Sequence, residues 1–185
     1  MKTIPAPSAF TTVRGRRRVA LATGLVLAAG TALAGPAAAA PAPAATATVP
    51  GVTHAQVVNA RYATHCTYDR VVIDLAGGLY PGTTVRRVSK LVYDGSGKPV
   101  PLPGRYFLEV KLSPAAGHDE AGHSVYKGPK LKRLTLPKLK GIALTGDFEG
   151  VVTFGLAFTT SPKYSTAKLH HPDRFVVDVQ HAKTC

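Results

Sequence analysis

Acidic residues are scarce in this sequence. Its 185 residues include ten aspartates and glutamates against 23 lysines and arginines, and no pair of carboxylates lies in an obviously apolar segment. An acid–base hydrolase therefore has no candidate residues. Ser96 stands in D-G-S-G, which is a turn and not the G-x-S-x-G motif of hydrolases, and no glycine-rich phosphate loop is present. We expect a protein that is not an enzyme and needs no cofactor.

Helical periodicity is also missing from the chain after residue 50. Short apolar or alternating segments are separated there by glycine and proline turns, a pattern typical of an all-β sandwich or barrel. Pro137 places one of these segments at a sheet edge, because proline has no N–H to donate to a neighbouring strand. The predicted strands cover residues 57–62, 68–76, 84–93, 106–112, 131–139, 147–158, 163–169 and 173–180.

One strand pattern is written twice, as D-R-V-V-I-D-L at 69–75 and D-R-F-V-V-D-V at 173–179. Successive residues of a strand face opposite sides, so each copy has one apolar face. The repeat predicts an internal duplication, and in a pseudo-symmetric sandwich each arginine could pair with an aspartate on a neighbouring strand. The alternative is a chance likeness between two ordinary amphipathic strands. The polar face carries Arg70 and Asp74 in the first copy, and Arg174 and Asp178 in the second.

Only two cysteines occur, Cys66 directly before the first copy and Cys185 after the second. An even number of cysteines in an exported chain favours a disulfide, and neighbouring copies would bring these two sulfurs together. Two free thiols, or a bond between chains, are the alternatives. No cysteine lies in the N-terminal region, which argues against a lipid-anchored lipoprotein.

The N-terminal region has the composition of an export signal. Four arginines between residues 14 and 18 precede an apolar run at 19–34, and small residues follow. This order predicts a secretory signal peptide, cleaved after Ala39, with a retained anchor as the alternative and the export route, general or twin-arginine, left open. We expect a secreted, extracellular protein, with association with the wall as one option and no stable membrane insertion after cleavage. The predicted divisions are a signal peptide at 1–39, a flexible Ala/Pro/Thr-rich linker at 40–53 and one domain at 54–185.

Positive charge dominates the predicted mature chain. Residues 40–185 carry 18 basic and ten acidic residues, a net charge of +8 that attracts anionic partners. Outside a cell these are wall phosphates, peptidoglycan carboxylates or anionic lipid heads, and nucleic acid is not expected. Tyr126 and Tyr164 could add surface for sugar stacking. The alternative is that the lysines only protect an edge strand from aggregation. The predicted basic strip consists of Lys127, Lys130, Lys132, Arg133, Lys138 and Lys140.

The sequence H-D-E-A-G-H at 118–123 looks like a metalloprotease motif but differs from one. Its histidines are five residues apart instead of four, and the glycines at 117 and 122 would break the helix that aligns such ligands. A loop could still bring His118, Asp119 and His123 onto an adventitious ion, but we expect no metal site. The pair His170-His171 before Pro172 indicates a solvated turn.

Five blocks of sequence resemble the AMIN-like domain of exported actinobacterial proteins. In order they are Y-D-R-V-V-I-D-L-A-G-G, Y-P-G-T-T-V-R-R-V, Y-K-G-P, G-D-F-E-G-V-V-T-F-G-L-A-F and P-D-R-F-V-V-D-V-Q-H. The resemblance covers about residues 57–181, and the fourth and fifth blocks are its most specific parts. That domain is related to the AMIN module of cell-wall amidases and secretins.

The resemblance implies a β-sandwich of two similar sheets and a non-catalytic role. AMIN modules localise their host proteins to the envelope and are implicated in peptidoglycan binding. Our first hypothesis is therefore a secreted module that binds peptidoglycan or an anionic wall polymer through its basic surface. The alternative is an interaction domain for another exported protein, without affinity for the wall, that could bind by strand addition at a sheet edge.

Overall fold

The computed structural model describes residues 54–185, so the predicted signal peptide (1–39) and linker (40–53) lie outside the described residues. Within 54–185 the chain forms ten β-strands, and no helix there could span a membrane. The strands are β1 (Ala55–Thr64), β2 (Tyr68–Ala76), β3 (Gly82–Val88), β4 (Tyr106–Ser113), β5 (Ala115–Ala116), β6 (Leu131–Arg133), β7 (Leu139–Phe148), β8 (Val151–Phe158), β9 (Tyr164–Leu169) and β10 (Arg174–Gln180).

The strands form two five-stranded sheets that pack face to face. The first sheet has the order β5-β1-β2-β10-β9 and the second has the order β3-β4-β8-β7-β6. Each half of the domain contributes one strand pair to each sheet: β1–β2 and β3–β4 come from the first half, β7–β8 and β9–β10 from the second. The predicted all-β sandwich is confirmed, and this arrangement agrees with the duplication that the repeat suggests.

Three predicted strands end early or divide in two, and the other boundaries agree to within two residues. Residues 147–158 were expected to form one strand, but the chain reverses at Glu149 and Gly150, whose φ angles are 49° and 73°. Positive φ at both central residues is typical of a two-residue hairpin turn. The segment 131–139 contains two strands, because β6 ends at Arg133 and β7 begins at Leu139, and β6 lies at a sheet edge. The third, predicted at 84–93, is β3 and ends at Val88.

The apolar faces of both sheets meet in one core. Val71, Ile73 and Leu75 of the first copy are almost completely buried, as strand alternation predicts. Each such side chain stabilises the fold by about 1.5–3 kcal/mol relative to an exposed position. The same core contains Leu108, Val110, Leu112, Val152, Phe154, Leu156, Phe158, Phe175, Val177 and Val179.

The outer face of the second sheet is covered by the chain between β3 and β4. Leu91 and Leu102 from this connection lie in a second, smaller apolar cluster on that face. Glycines beneath them make the room: a Cβ at Gly155 would lie 2.7 Å from Leu91 Cδ1, and one at Gly141 would lie 2.6 Å from Leu102 Cδ2. Among residues 54–185, no second apolar cluster packs on the outer face of the first sheet.

The two copies of the repeated pattern lie side by side in the first sheet. β2 and β10 pair antiparallel, with Val72 opposite Val176, Arg70 opposite Asp178 and Arg174 opposite Asp74. The register is symmetric about the two valines, because each residue faces the position that mirrors it in the other copy. The repeat therefore creates a local two-fold pair of strands, with both polar faces on the outer side of one sheet.

Candidate functional site

A groove of about 770 Å³ runs across the outer face of the first sheet. We call it the first-sheet groove. Val72 and Val176 line it at the centre of the repeated strands, and Ala63 of β1 adds to its apolar floor. The cations that border it are Arg61, Arg70, Lys132 and Arg174.

Arg70 is neutralised by the second copy. Its Nε donates to Asp178 Oδ1 at 2.7 Å and its Nη2 to Asp178 Oδ2 at 2.7 Å, across 108 residues of sequence. The guanidinium also lies 5.1 Å from the centre of the Tyr68 ring. The hydrogen bonds with Asp178 raise the pKa of Arg70 above its ordinary value. Because the pair is bidentate and only part-exposed, it holds the register of β2 and β10 and leaves little free charge on Arg70.

The mirror-image pair expected between Arg174 and Asp74 does not form, so that part of the prediction is wrong. Asp74 instead accepts hydrogen bonds from Arg61 of β1, from Nε at 2.7 Å and from Nη2 at 2.6 Å. Both oxygens are therefore bound from the opposite side. Arg174 donates only from Nε to the carbonyl of Pro172 at 3.2 Å, and among residues 54–185 it has no carboxylate partner.

Arg61 was missed by the sequence analysis because β1 contains a bulge. The pairing of β1 with β2 shifts between Val57 and Asn59, so strict alternation from the buried Val57 fails after that point. A bulge turns the following side chains to the other face of the sheet. Arg61 consequently lies on the outer face beside Asp74, whereas strict alternation would have placed it in the core.

The chain between β5 and β6 crosses the open side of β1. The Lys127 N–H donates to the carbonyl of Val58, the bulge residue, at 2.9 Å. Gly128 permits this close approach, since a Cβ there would lie 2.7 Å from the Ala60 nitrogen and 2.5 Å from Tyr126 Oη. This approach places Lys132 at the border of the first-sheet groove.

The six residues of the predicted basic strip border different depressions or make local contacts. Lys127 borders a separate depression beside Asn59 and Asp74, whereas Lys130 borders another with His118 and Asp147. The remaining three are engaged locally. Arg133 donates to the Pro101 carbonyl, Lys138 Nζ to Thr160 Oγ1, and Lys140 Nζ to the Leu136 carbonyl. Only Lys132 joins the arginines of the first-sheet groove.

The two tyrosines considered for sugar stacking make contacts within the domain. Tyr126 is 7% exposed, its ring lies 5.8 Å from that of Phe154, and burial raises the pKa of its hydroxyl. Tyr164 donates from Oη to the Val85 carbonyl at 3.3 Å. The aromatic side chains that line the groove are Tyr62 and His65, and His65 stacks on Tyr68 with ring centres 4.5 Å apart.

The histidines of H-D-E-A-G-H bind different carboxylates. His118 Nδ1 lies 3.0 Å from Asp147 Oδ2, whereas His123 Nδ1 lies 3.3 Å from Asp119 Oδ2. Within 54–185 no group of three or more His, Cys, Asp or Glu side chains could hold a metal ion. Farther along the chain, His170 Nδ1 lies 2.9 Å from Asp173 Oδ1 in the turn between β9 and β10.

The predicted disulfide is present between Cys66 and Cys185. It joins the turn between β1 and β2 to the C-terminal segment, which also donates from the Thr184 N–H to the Cys66 carbonyl at 2.8 Å. The disulfide thus fixes the turn that carries His65 at the end of the first-sheet groove.

Comparison with known proteins gives one match. The family model of the AMIN-like domain matches residues 55–181, which is more than half of the chain and nearly all of the described domain. No curated protein and no solved structure matches the sequence significantly. The two similar sheets and the paired D-R strands described above lie within the matched residues, and the chain belongs to the AMIN-like domain family.

Proposed function

We propose that this protein is a secreted, non-catalytic module of the cell envelope that binds peptidoglycan or an anionic wall polymer in the first-sheet groove. Membership of the AMIN-like family supports the envelope role. The observation that carries the proposed site is the free charge of Arg174 and Lys132. Both line the groove, and neither has a carboxylate partner in the described part of the chain.

The charge balance of the groove favours an anion. Asp74 and Asp178 neutralise Arg61 and Arg70, so the two other cations are left to attract a ligand. A guanidinium matches a carboxylate or a phosphate with two parallel N–H donors, and a lysine adds a point charge. Val72 is part-exposed and offers apolar contact to the methyl groups or ring faces of such a polymer, whereas Val176 is only 2% exposed.

The chemistry of the groove supports binding rather than catalysis. Its lining contains no serine, cysteine or carboxylate side chain. A nucleophile with its base, or a pair of acids, is therefore missing from this surface. The disulfide agrees with export, because such bonds persist in oxidising compartments. In this proposal the signal peptide ends at Ala39 and the domain acts outside the cell.

Co-sedimentation with insoluble peptidoglycan, with and without its teichoic polymers, tests this function. Replacing Arg174 and Lys132 together by glutamine should weaken binding by about 10–100-fold, because each removes one charge-assisted contact. Binding of the unchanged protein should also fall as salt is raised. The matched control replaces Lys90 and Lys98, which precede β4 in the connection that covers the second sheet, and should change binding by less than about twofold.

Three results would contradict the proposal. Absence of binding at low salt would remove the wall as the ligand. Equal losses in the two double variants would mean that net charge, and not the groove, attracts the protein. Binding that survives both high salt and the groove substitutions would place recognition on a neutral surface elsewhere. Loss of binding only when teichoic polymers are removed would identify phosphate as the recognised group.

A further inference from the structure

The strand β9 forms an exposed edge of the first sheet. It pairs with β10 through six consecutive residues without any shift in register, and no strand of the described domain pairs with its other side. Four consecutive residues in its middle, at 165–168, are exposed. An edge of this kind presents a row of backbone donors and acceptors to another strand.

The hydrogen-bond pattern shows which residues of β9 point outward. The Gln180 N–H donates to the Lys163 carbonyl at 2.9 Å, which makes these two residues a hydrogen-bonded pair. In an antiparallel ladder such pairs alternate, so Ser165 and Ala167 also bond to β10. The N–H and C=O groups of the intervening residues face away from the sheet. They belong to Tyr164, Thr166 and Lys168, and within 54–185 these groups have no hydrogen-bond partner.

The other edges of the sandwich are short or occupied. β5 has two residues and β6 has three, whereas the edge of β3 has its Val85 carbonyl bound by Tyr164 Oη. β9 has neither proline nor a bulge, which are common protections of an edge. Its one lysine, Lys168, is the last residue but one of β9, and its Nζ lies 5.0 Å from the centre of the Tyr80 ring, so its charge lies at one end of the edge and not along its middle.

The charges around β9 indicate the chemistry of a partner. Lys163 and Lys168 lie at its two ends, and Arg87 lies 5.6 Å from the centre of the Tyr164 ring. On the adjoining strand Asp178 is neutralised by Arg70, whereas Asp173 in the turn lies 2.9 Å from His170 Nδ1, a contact that cancels charge only with a protonated imidazole. The three cations outnumber this one carboxylate, so the net charge along the edge is positive.

We propose that β9 is a docking edge for an acidic, extended segment of another exported protein, which adds to the first sheet as a sixth strand. The outward groups of Tyr164, Thr166 and Lys168 supply the backbone hydrogen bonds, as in other cases of strand addition. Carboxylates at both ends of the segment meet Lys163 and Lys168. The edge reaches the first-sheet groove only at Leu169, the last residue of β9, so the outward groups of Tyr164 and Thr166 lie clear of the groove cations and the protein can bind both ligands.

The test uses a short, blocked peptide of alternating valine and threonine with two glutamates at each end, titrated into the purified, isotope-labelled protein. Binding should slow hydrogen exchange at the amides of Thr166 and Lys168 and should weaken with salt. Thr166→Pro removes one outward donor without touching the ladder to β10, and should weaken binding at least about tenfold. Thr166→Val keeps the donor and should stay within about twofold of the unchanged protein.

A second pair of measurements keeps the test valid if Thr166→Pro does not fold. Lys163→Gln with Lys168→Gln should weaken the acidic peptide about fivefold and remove most of its salt dependence, because two charge contacts are lost. The same peptide with lysines in place of the glutamates should not bind.

The proposal is overturned if the amides of β9 remain unprotected, if Thr166→Pro binds normally, or if the lysine peptide binds equally well. Concentration-dependent dimerisation that Thr166→Pro abolishes would make a second copy of this chain the occupant and would also overturn it. Wall binding is the separate readout: it should be unchanged in Thr166→Pro and lost in the Arg174 and Lys132 double variant.

Discussion

Replacing Asp69 by alanine should show that equivalent positions in the two copies of the repeat contribute differently to the free energy of unfolding. Asp69 is completely buried, although it opens a polar D-R motif. Its Oδ2 accepts hydrogen bonds from the backbone N–H groups of Lys138 at 2.7 Å and Leu139 at 2.8 Å. Asp69 belongs to β2 of the first sheet, and Leu139 begins β7 of the second. One carboxyl group therefore joins the two sheets.

The expected cost follows from the two donors. A buried N–H left without an acceptor costs about 1–3 kcal/mol, and the removed side-chain atoms leave a small void as well. Asp69→Ala should therefore lower the free energy of unfolding by about 3–5 kcal/mol. This loss is a large part of the free energy of unfolding of a typical domain, which is about 5–15 kcal/mol.

Urea denaturation followed by far-ultraviolet circular dichroism measures this loss. With a slope of about 1.5 kcal/mol per molar urea, the midpoint should fall by about 2–3 M. The control is Asp173→Ala, the same position in the second copy. Asp173 has a side chain that is 36% exposed and contacts His170, so its loss should be under about 1 kcal/mol. A loss below about 1 kcal/mol for Asp69→Ala, or equal losses in both variants, would refute this reasoning.

Two further predictions concern the disulfide and an alkaline transition. Replacing Cys66 and Cys185 by serine should lower the free energy of unfolding by about 4–5 kcal/mol in the chain-entropy model, and a reducing agent should destabilise the unchanged protein but not the variant. Burial and the charge of Asp173 raise the pKa of Tyr80 from 10.0 to about 12, so the fold retains the phenol proton longer than the unfolded chain does. The resulting stabilisation is complete below about pH 10 and is lost as the pH rises through about 12. Urea titrations should therefore show that the free energy of unfolding falls more between about pH 9 and about pH 11.5 for the unchanged protein than for Tyr80→Phe. Equal falls would contradict the raised pKa of Tyr80.

Strands whose pattern is local were predicted well from the sequence. Clean alternation defined β4, and the paired D-R motifs defined β2 and β10, because the period of two is a property of the strand itself. The turn at Glu149 and Gly150 was missed since the apolar residues on both sides read as one continuous strand. The bulge in β1 was missed for a similar reason: the sequence contains no sign that alternation stops between Val57 and Asn59.

The candidate site could be predicted only in part. The sequence placed Arg70 and Asp74 on the polar face of one copy and Arg174 and Asp178 on the polar face of the other. The structure brings both faces to the outer side of the first sheet. The sequence could not predict that Asp74 binds Arg61, because a third strand and its bulge supply that arginine. Of the basic strip only Lys132 lines the first-sheet groove, and this depends on where the connection between β5 and β6 crosses β1, which the sequence does not show.

By itself, the sequence determined the all-β class, the apolar faces of the repeated strands and the pair of cysteines that joins them, because each depends on residue type and local period. The tertiary structure alone decided which carboxylate each arginine binds, which sheet keeps an open outer face and which strand ends as a free edge. These properties depend on the register of strands more than a hundred residues apart and on where one long connection lies, and a register is set by the packing of the whole core.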